Sequence, residues 1–264
     1  MSRAYFKHPG ISASLLKNYA GEEFSPLQAK QSFKKSTANM VLGSGVHSGL
    51  EFDGVINPLE FVESRYDSFR TNDARLWRND MEERGIEVLA KNDWARANTM
   101  IQRVINDPVF GPIYGDKDAK REIEVYTEHY KAMMDVVIGD TVYDYKTCSD
   151  ARPSQIMKDA YHYGYHLQAY HYLKRAQEGI GEHIKHFRFV FICSAEPYDV
   201  VCMEPSERFM QLGEAQWTQA NERYLYWKDV KNPPGYGFGE FIELDVPPWA
   251  TREADKTDDF SKED

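Results

Sequence analysis

The sequence predicts an α/β fold: a single domain with a central mixed β-sheet flanked by helices. Three observations carry this. Helical patterns occupy residues 10–106. A cluster of three β-rich runs follows between residues 121 and 147. Helix, strand, strand and helix then succeed one another to residue 230, an order that packs helices against a mixed sheet. The chain has 264 residues, 42% hydrophobic and 28% charged, ordinary values for a globular protein. No repeat or long linker divides it. One domain over residues 1–250 is therefore expected, followed by an acidic, disordered tail over 251–264.

In chain order, Ser12 is a candidate N-cap for a short helix within Gly10–Tyr19. Met40–Phe52 reads as a buried helix in which Gly43, Gly45 and Gly49 permit close approach. Asp73–Ala90 and Trp94–Asn106 read as helices, the second closed by Asp107-Pro108. Arg121–Thr127, Lys131–Ile138 and Thr141–Thr147 read as strands. Ser154–Gly179 is a helix ending at a glycine. His186–Ser194 and Tyr198–Met203 are strands, and Pro205–Val230 is a long helix. Pro233-Pro234-Gly235 then opens an irregular aromatic segment.

The net charge of -10 argues against a uniformly basic nucleic-acid-binding surface. Its distribution is uneven, however. Phe24–Leu50 holds Lys30, Lys34 and Lys35 and no acid, which is either a solvated helix face or a local basic patch. No apolar run reaches membrane-spanning length, and Met1–Gly10 lacks the apolar core of a secretory signal. Cys148, Cys193 and Cys202 match no zinc or iron–sulfur spacing, as expected of a reduced cytoplasmic protein.

Gly139-Asp140 separates two strand-like runs and predicts a two-residue hairpin loop. That loop sets the register: Ile138 faces Thr141, and Asp135 faces Asp144. Alternation then places Asp135, Asp144 and Lys146 on one face. Two carboxylates this close repel one another unless a cation lies between them. Aspartate oxygens suit Mg²⁺ or Mn²⁺, and a neighbouring lysine can hold or activate water, a combination that hydrolyses phosphodiesters. The competing reading is a hairpin whose polar face meets solvent. On the following helix Tyr161, Tyr165, Gln168 and Tyr172 recur at helical spacing and form one face.

Asp135, eight intervening residues, then Asp144-Tyr145-Lys146 resembles the PD-(D/E)xK nuclease motif. The resemblance extends to the RecE-type (exonuclease VIII) exonucleases of phages and prophages. Pro9-Gly10-Ile11-Ser12-Ala13-Ser14-Leu15 resembles their N-terminal signature, and Leu42-Gly43-Ser44-Gly45-Val46-His47 resembles their histidine-bearing helix. Asp144-Tyr145-Lys146-Thr147 and Tyr165-His166-Leu167-Gln168-Ala169-Tyr170 resemble the catalytic strand and the helix after it. The four motifs occur in order across Phe6–Cys193. From Tyr198 onward no motif matches.

The resemblance implies a restriction-endonuclease-like core and two Mg²⁺ ions, with Mn²⁺ as a substitute. His47, Asp135, Asp144 and the Tyr145 carbonyl would be metal ligands. Lys146 would position or activate the attacking water, Glu124 would serve as the acid ahead of the aspartate strand in preference to Glu122, and Gln168 would steady the site. Ser12, Ser14, Lys30, Lys34, Lys35 and Tyr165 are candidate DNA contacts. The implied activity is 5′→3′ digestion of double-stranded DNA to 5′-mononucleotides, leaving 3′ single strands for recombination. The implied partners are duplex ends, a RecT-like single-strand annealing protein and further copies in a ring, in the host cytoplasm with no membrane. The alternatives are a structure-specific or single-strand endonuclease and a non-catalytic DNA-end-binding protein.

Overall fold

The computed structural model describes residues 5, 7–21, 24–31 and 37–247. Lys34, Lys35 and the 251–264 tail lie outside the described residues. The N-terminal helix is one turn, α1 (Ala13–Leu16), continued as a 3₁₀ turn to Tyr19; the Ser12 side chain makes no cap bond to it. A short α2 (Pro26–Gln31) follows. In α3 (Ala38–Glu51) the Thr37 side chain accepts from the Met40 N–H, a cap that starts the helix two residues ahead of the predicted boundary. Helix α3 lies close against the sheet, because a Cβ on Gly43 would stand 3.0 Å from the Thr147 hydroxyl.

The predicted helix over 73–90 is shorter. Helix α4 (Asn72–Glu83) stops at Gly85, whose φ of +77° only glycine adopts readily. Beyond it, β2 (Glu87–Leu89) pairs in parallel with β1 (Phe61–Glu63), a small sheet that local patterning does not announce. Helices α5 (Lys91–Ile105) and α6 (Gly111–Tyr114) lead into the main sheet.

That sheet has five strands in the order β3-β4-β5-β6-β7: β3 (Lys120–Tyr126), β4 (Lys131–Ile138), β5 (Thr141–Cys148), β6 (His186–Cys193) and β7 (Val200–Met203). It is mixed: β5 and β6 are parallel, and the other neighbours are antiparallel. The 154–179 helix divides into α7 (Pro153–His162) and α8 (Tyr165–Gly179), turning at Gly164 with φ +64°. Tyr161 therefore leaves the face that Tyr165, Gln168 and Tyr172 share; it stacks on His166 and is exposed. Helix α9 (Glu207–Trp227) packs outside α8.

The sheet is buried on both faces. Leu42, Val46 and Leu50 of α3 and Met100, Ile101 and Val104 of α5 cover Val136, Tyr143, Tyr145, Val190 and Ile192. On the opposite face Ile156, Ala169 and Ala176 of α7 and α8 pack on Met134, Val142, Phe187, Phe189 and Phe191. The result is the expected α/β domain, a mixed sheet between helical layers. Among the described residues no helix is long and apolar enough to cross a membrane.

Candidate active site

The hairpin turns where expected. Gly139 has φ +57°, and Ile138–Thr141, Val137–Val142 and Val136–Tyr143 pair in the predicted register. The next pair would be Asp135–Asp144, and there the ladder ends. The Tyr145 N–H donates instead to Asp135 Oδ2 at 2.6 Å, so a carboxylate takes the place of a strand carbonyl.

The two aspartates do not share a face in the way simple alternation implies. Met134 packs beneath α8, whereas Val136, two residues on, packs beneath α3. Strand β4 turns over at Asp135. Opposite it, between the pairs Arg121–Val136 and Ile123–Met134, Glu122 has φ +50°, which reverses the local facing of β3. Asp135 therefore meets α3, with Oδ1 3.7 Å from His47 Nδ1. Asp144 meets α8 and accepts from Gln168 Nε2 at 3.3 Å. Lys146 bonds Asp144 Oδ2 and donates to the Tyr145 carbonyl at 3.2 Å, with its ammonium 5.4 Å from the Tyr165 ring centre.

The site is dry. Asp144 is 2% exposed and Asp135 8%. Burial works against a charged His47, but Asp135 outweighs it and raises the imidazole above its usual range. Burial likewise opposes ionisation of Asp135, yet His47, Lys146 and the Tyr145 N–H hold it below the usual carboxylate range. Asp144 is raised, by burial first, and Asp135 adds to this. Burial disfavours the Lys146 ammonium, but Asp144 and Asp135 over-compensate and keep it protonated.

Sequence reasoning preferred Glu124, and the structure places Glu122 at the site. Glu124 accepts from the Tyr126 hydroxyl. Glu122 lines a cleft of about 260 Å³ with His47, Glu51, Glu60 and Glu87. Its Oε2 is buried without a hydrogen-bond partner, and burial, then Asp135 and Glu51, push its pKa up to about 7. The signal that could have found it is not in the strand pattern, because the left-handed residue is Glu122 itself.

The other candidates are dispersed. Lys30 donates to the carbonyls of Lys228 and Val230 at 3.1 and 2.6 Å, past the end of α9. Ser14 is exposed and Ser12 half-buried at the start of α1. The sequence singled out neither Lys17 nor Tyr163. Lys17 donates to the Tyr163 carbonyl at 3.0 Å and lies 5.5 Å from the centre of the Tyr165 ring.

Among the described residues no three His, Cys, Asp or Glu side chains are gathered as a ready metal cage. A hard divalent cation needs fewer. Mg²⁺ is held by one or two carboxylates, and water and substrate phosphate complete its shell. An oxygen-rich donor set around an orphaned, buried Glu122 oxygen fits such an ion.

Two acids, a lysine and a histidine-bearing helix meet where the hairpin parts, the residues on which the sequence resembles the PD-(D/E)xK nucleases. Residues 12–243 match the PDDEXK-like domain of unknown function (DUF3799), and the chain belongs to that family. A candidate exonuclease from Eubacterium rectale shares the fold, with a TM-score of 0.64 and 14% identity over 95% of this chain and 97% of that one. A phage-related exonuclease from Haemophilus somnus aligns over 86% of this chain and 98% of its own at 13% identity, with a TM-score of only 0.38. No curated protein matches the chain.

Proposed function

We propose that this chain is a metal-dependent exodeoxyribonuclease of the RecE type. It digests one strand of duplex DNA from the 5′ end, releases 5′-mononucleotides and leaves a 3′ single strand for recombination by annealing. The observation that carries this reading is the buried convergence of Asp135, Asp144 and Lys146 where the hairpin strands part, with His47 and Glu122 beside them. The fold shared with the Eubacterium rectale candidate exonuclease is in keeping with it.

Asp135, Asp144, Glu122, His47 and the Tyr145 carbonyl would hold the metal. Two Mg²⁺ ions, or Mn²⁺ in their place, supply Lewis-acid stabilisation of the charge on the attacking and leaving oxygens. Lys146 stands between Asp144 and the Tyr145 carbonyl, where it would position or activate the attacking water. Gln168 fixes the Asp144 carboxylate from α8. The burial of Asp135 and Asp144 strengthens these electrostatic contacts. A RecT-like annealing protein, a ring of identical copies around duplex DNA, and action in the bacterial cytoplasm from a phage or prophage gene complete the proposal; these rest on the sequence resemblance.

The test is digestion of linear duplex labelled at either the 5′ or the 3′ end, beside closed circular plasmid, with Mg²⁺ or EDTA. Immediate release of the 5′ label as mononucleotide, with the circle intact and no cutting in EDTA, is expected. Cutting of the circle replaces this reading with an endonuclease, and binding to ends without cutting replaces it with an end-binding protein. Lys146→Ala is expected to abolish cutting, and an active Lys146→Ala protein overturns the assignment.

A further inference from the structure

One face of α3 runs past the whole site. Met40, Gly43, His47 and Glu51 recur at helical spacing, with His47 over Asp135 in the middle. The two ends of this track differ in charge. At the Glu51 end the cleft with Glu60, Glu87 and Glu122 gathers four carboxylates. At the Met40 end a larger cleft, about 430 Å³, is lined by Asn39, Met40, Thr147, Ser149, Tyr163 and Tyr165, with Asp159 as its one carboxylate. Asp159 accepts from Gln155 at 2.9 Å. Lys17 and Lys146 both stand against the Tyr165 ring, at 5.5 and 5.4 Å. A nucleic-acid strand leaving the reacting phosphate is repelled by the carboxylates of the first end and meets only the Gln155-bonded Asp159 at the second.

From the cleft at Thr147 and Ser149, we infer that the Met40 end is a nucleotide subsite. It takes one unpaired base of the strand being cut, stacked on the ring of Tyr163. This inference rests on the nuclease reading and adds where the flanking nucleotide sits. Tyr163 suits the role: it is 55% exposed at the α7–α8 corner, and its ring neighbours are His162 and Tyr165, at 5.1 and 5.9 Å. The carbonyl bond from Lys17 holds the corner in place. Seven residues of helix separate Met40 from His47, about 10 Å of rise, so the subsite lies one to two nucleotides from the metal-binding groups. The cleft, at about 430 Å³, has room for one nucleotide. Stacking on an aromatic face discriminates little between bases, which suits an enzyme that must digest any sequence.

The test uses full-length protein and fluorescein-labelled single-stranded oligonucleotides in which one abasic residue is moved along the strand. Binding is measured by anisotropy in EDTA, and cleavage in Mg²⁺ on linear duplexes carrying the same labelled strands. At one position, loss of the base is expected to weaken wild-type binding about tenfold. Tyr163→Ala is expected to weaken binding of the intact strand by the same factor and to be indifferent to the abasic residue at that position. Tyr163→Phe is expected to keep wild-type behaviour. The inference is overturned if Tyr163→Ala, shown to be folded by circular dichroism, binds the intact strand as wild type does, if its abasic sensitivity is unchanged, or if wild type does not bind. Base-dependent binding through Tyr163 without cleavage of linear duplex in Mg²⁺ or Mn²⁺ keeps the subsite and removes the nuclease reading; cleavage of the duplex without any base dependence does the reverse.

Discussion

His171 offers a measurement of the core that is independent of the catalytic groups. It is fully buried between α8, α9 and the start of β4. The Trp217 indole N–H donates to Nδ1 at 3.1 Å, so the ring proton sits on Nε2 and is given to the Lys131 carbonyl, also at 3.1 Å. Both nitrogens are satisfied only in the neutral ring. Burial, aided by Arg175 and partly opposed by the Lys131 carbonyl, lowers the pKa from 6.5 to about 3. The unfolded chain therefore binds a proton near pH 6.5 that the folded chain refuses until about pH 3. Stability from this group is complete above pH 6.5 and falls with acidification by about 1.4 kcal/mol per unit. At pH 5.0 the loss is about 2 kcal/mol. His171→Gln retains a donor and an acceptor and removes the titration. Urea unfolding followed by tryptophan fluorescence at pH 7.5 and 5.0 should show wild type losing about 2 kcal/mol more than the variant. Equal losses in the two proteins would refute the reasoning.

Three further outcomes are expected. Glu122→Gln should lower the rate of DNA cleavage at least tenfold, since one positioned acid–base or electrostatic group is worth about 10²–10⁴, whereas Glu124→Gln should change it less than twofold; steady-state digestion of labelled duplex separates them. Gly213→Ala should cost about 1–3 kcal/mol or prevent folding, because the new Cβ would stand 2.2 Å from the His166 carbonyl oxygen where α9 crosses α8; thermal unfolding reads this directly. Ser206→Ala should cost about 1 kcal/mol, since the Ser206 hydroxyl accepts from the Phe209 N–H at the start of α9; Ser206→Asp should recover it in the same denaturant titration.

The sequence alone determined what depends on near neighbours. The glycine in the two-residue loop and the flanking alternation set the β4–β5 register. The glycine spacing marks α3 as a buried helix, and the β-rich runs mark β5 and β6 as strands. These are short-range effects of sterics, hydrogen bonding and burial, so they are legible in a linear string. The tertiary structure alone decided what depends on distant partners or on a single reversed residue. Gly85 marks a local break in the helix, but Glu87–Leu89 becomes strand β2 because β1 lies beside it. Helical periodicity runs unbroken through Gly164, yet the left-handed backbone there turns α7 away from α8 and exposes Tyr163. Lys30 carries a charge that suits DNA, but the open carbonyls at the end of α9 take it. Glu122 faces the site because its own φ breaks the two-residue repeat from which facing is inferred. A strand pattern reports direction only while every residue keeps extended geometry, and at Glu122 in β3 that condition fails.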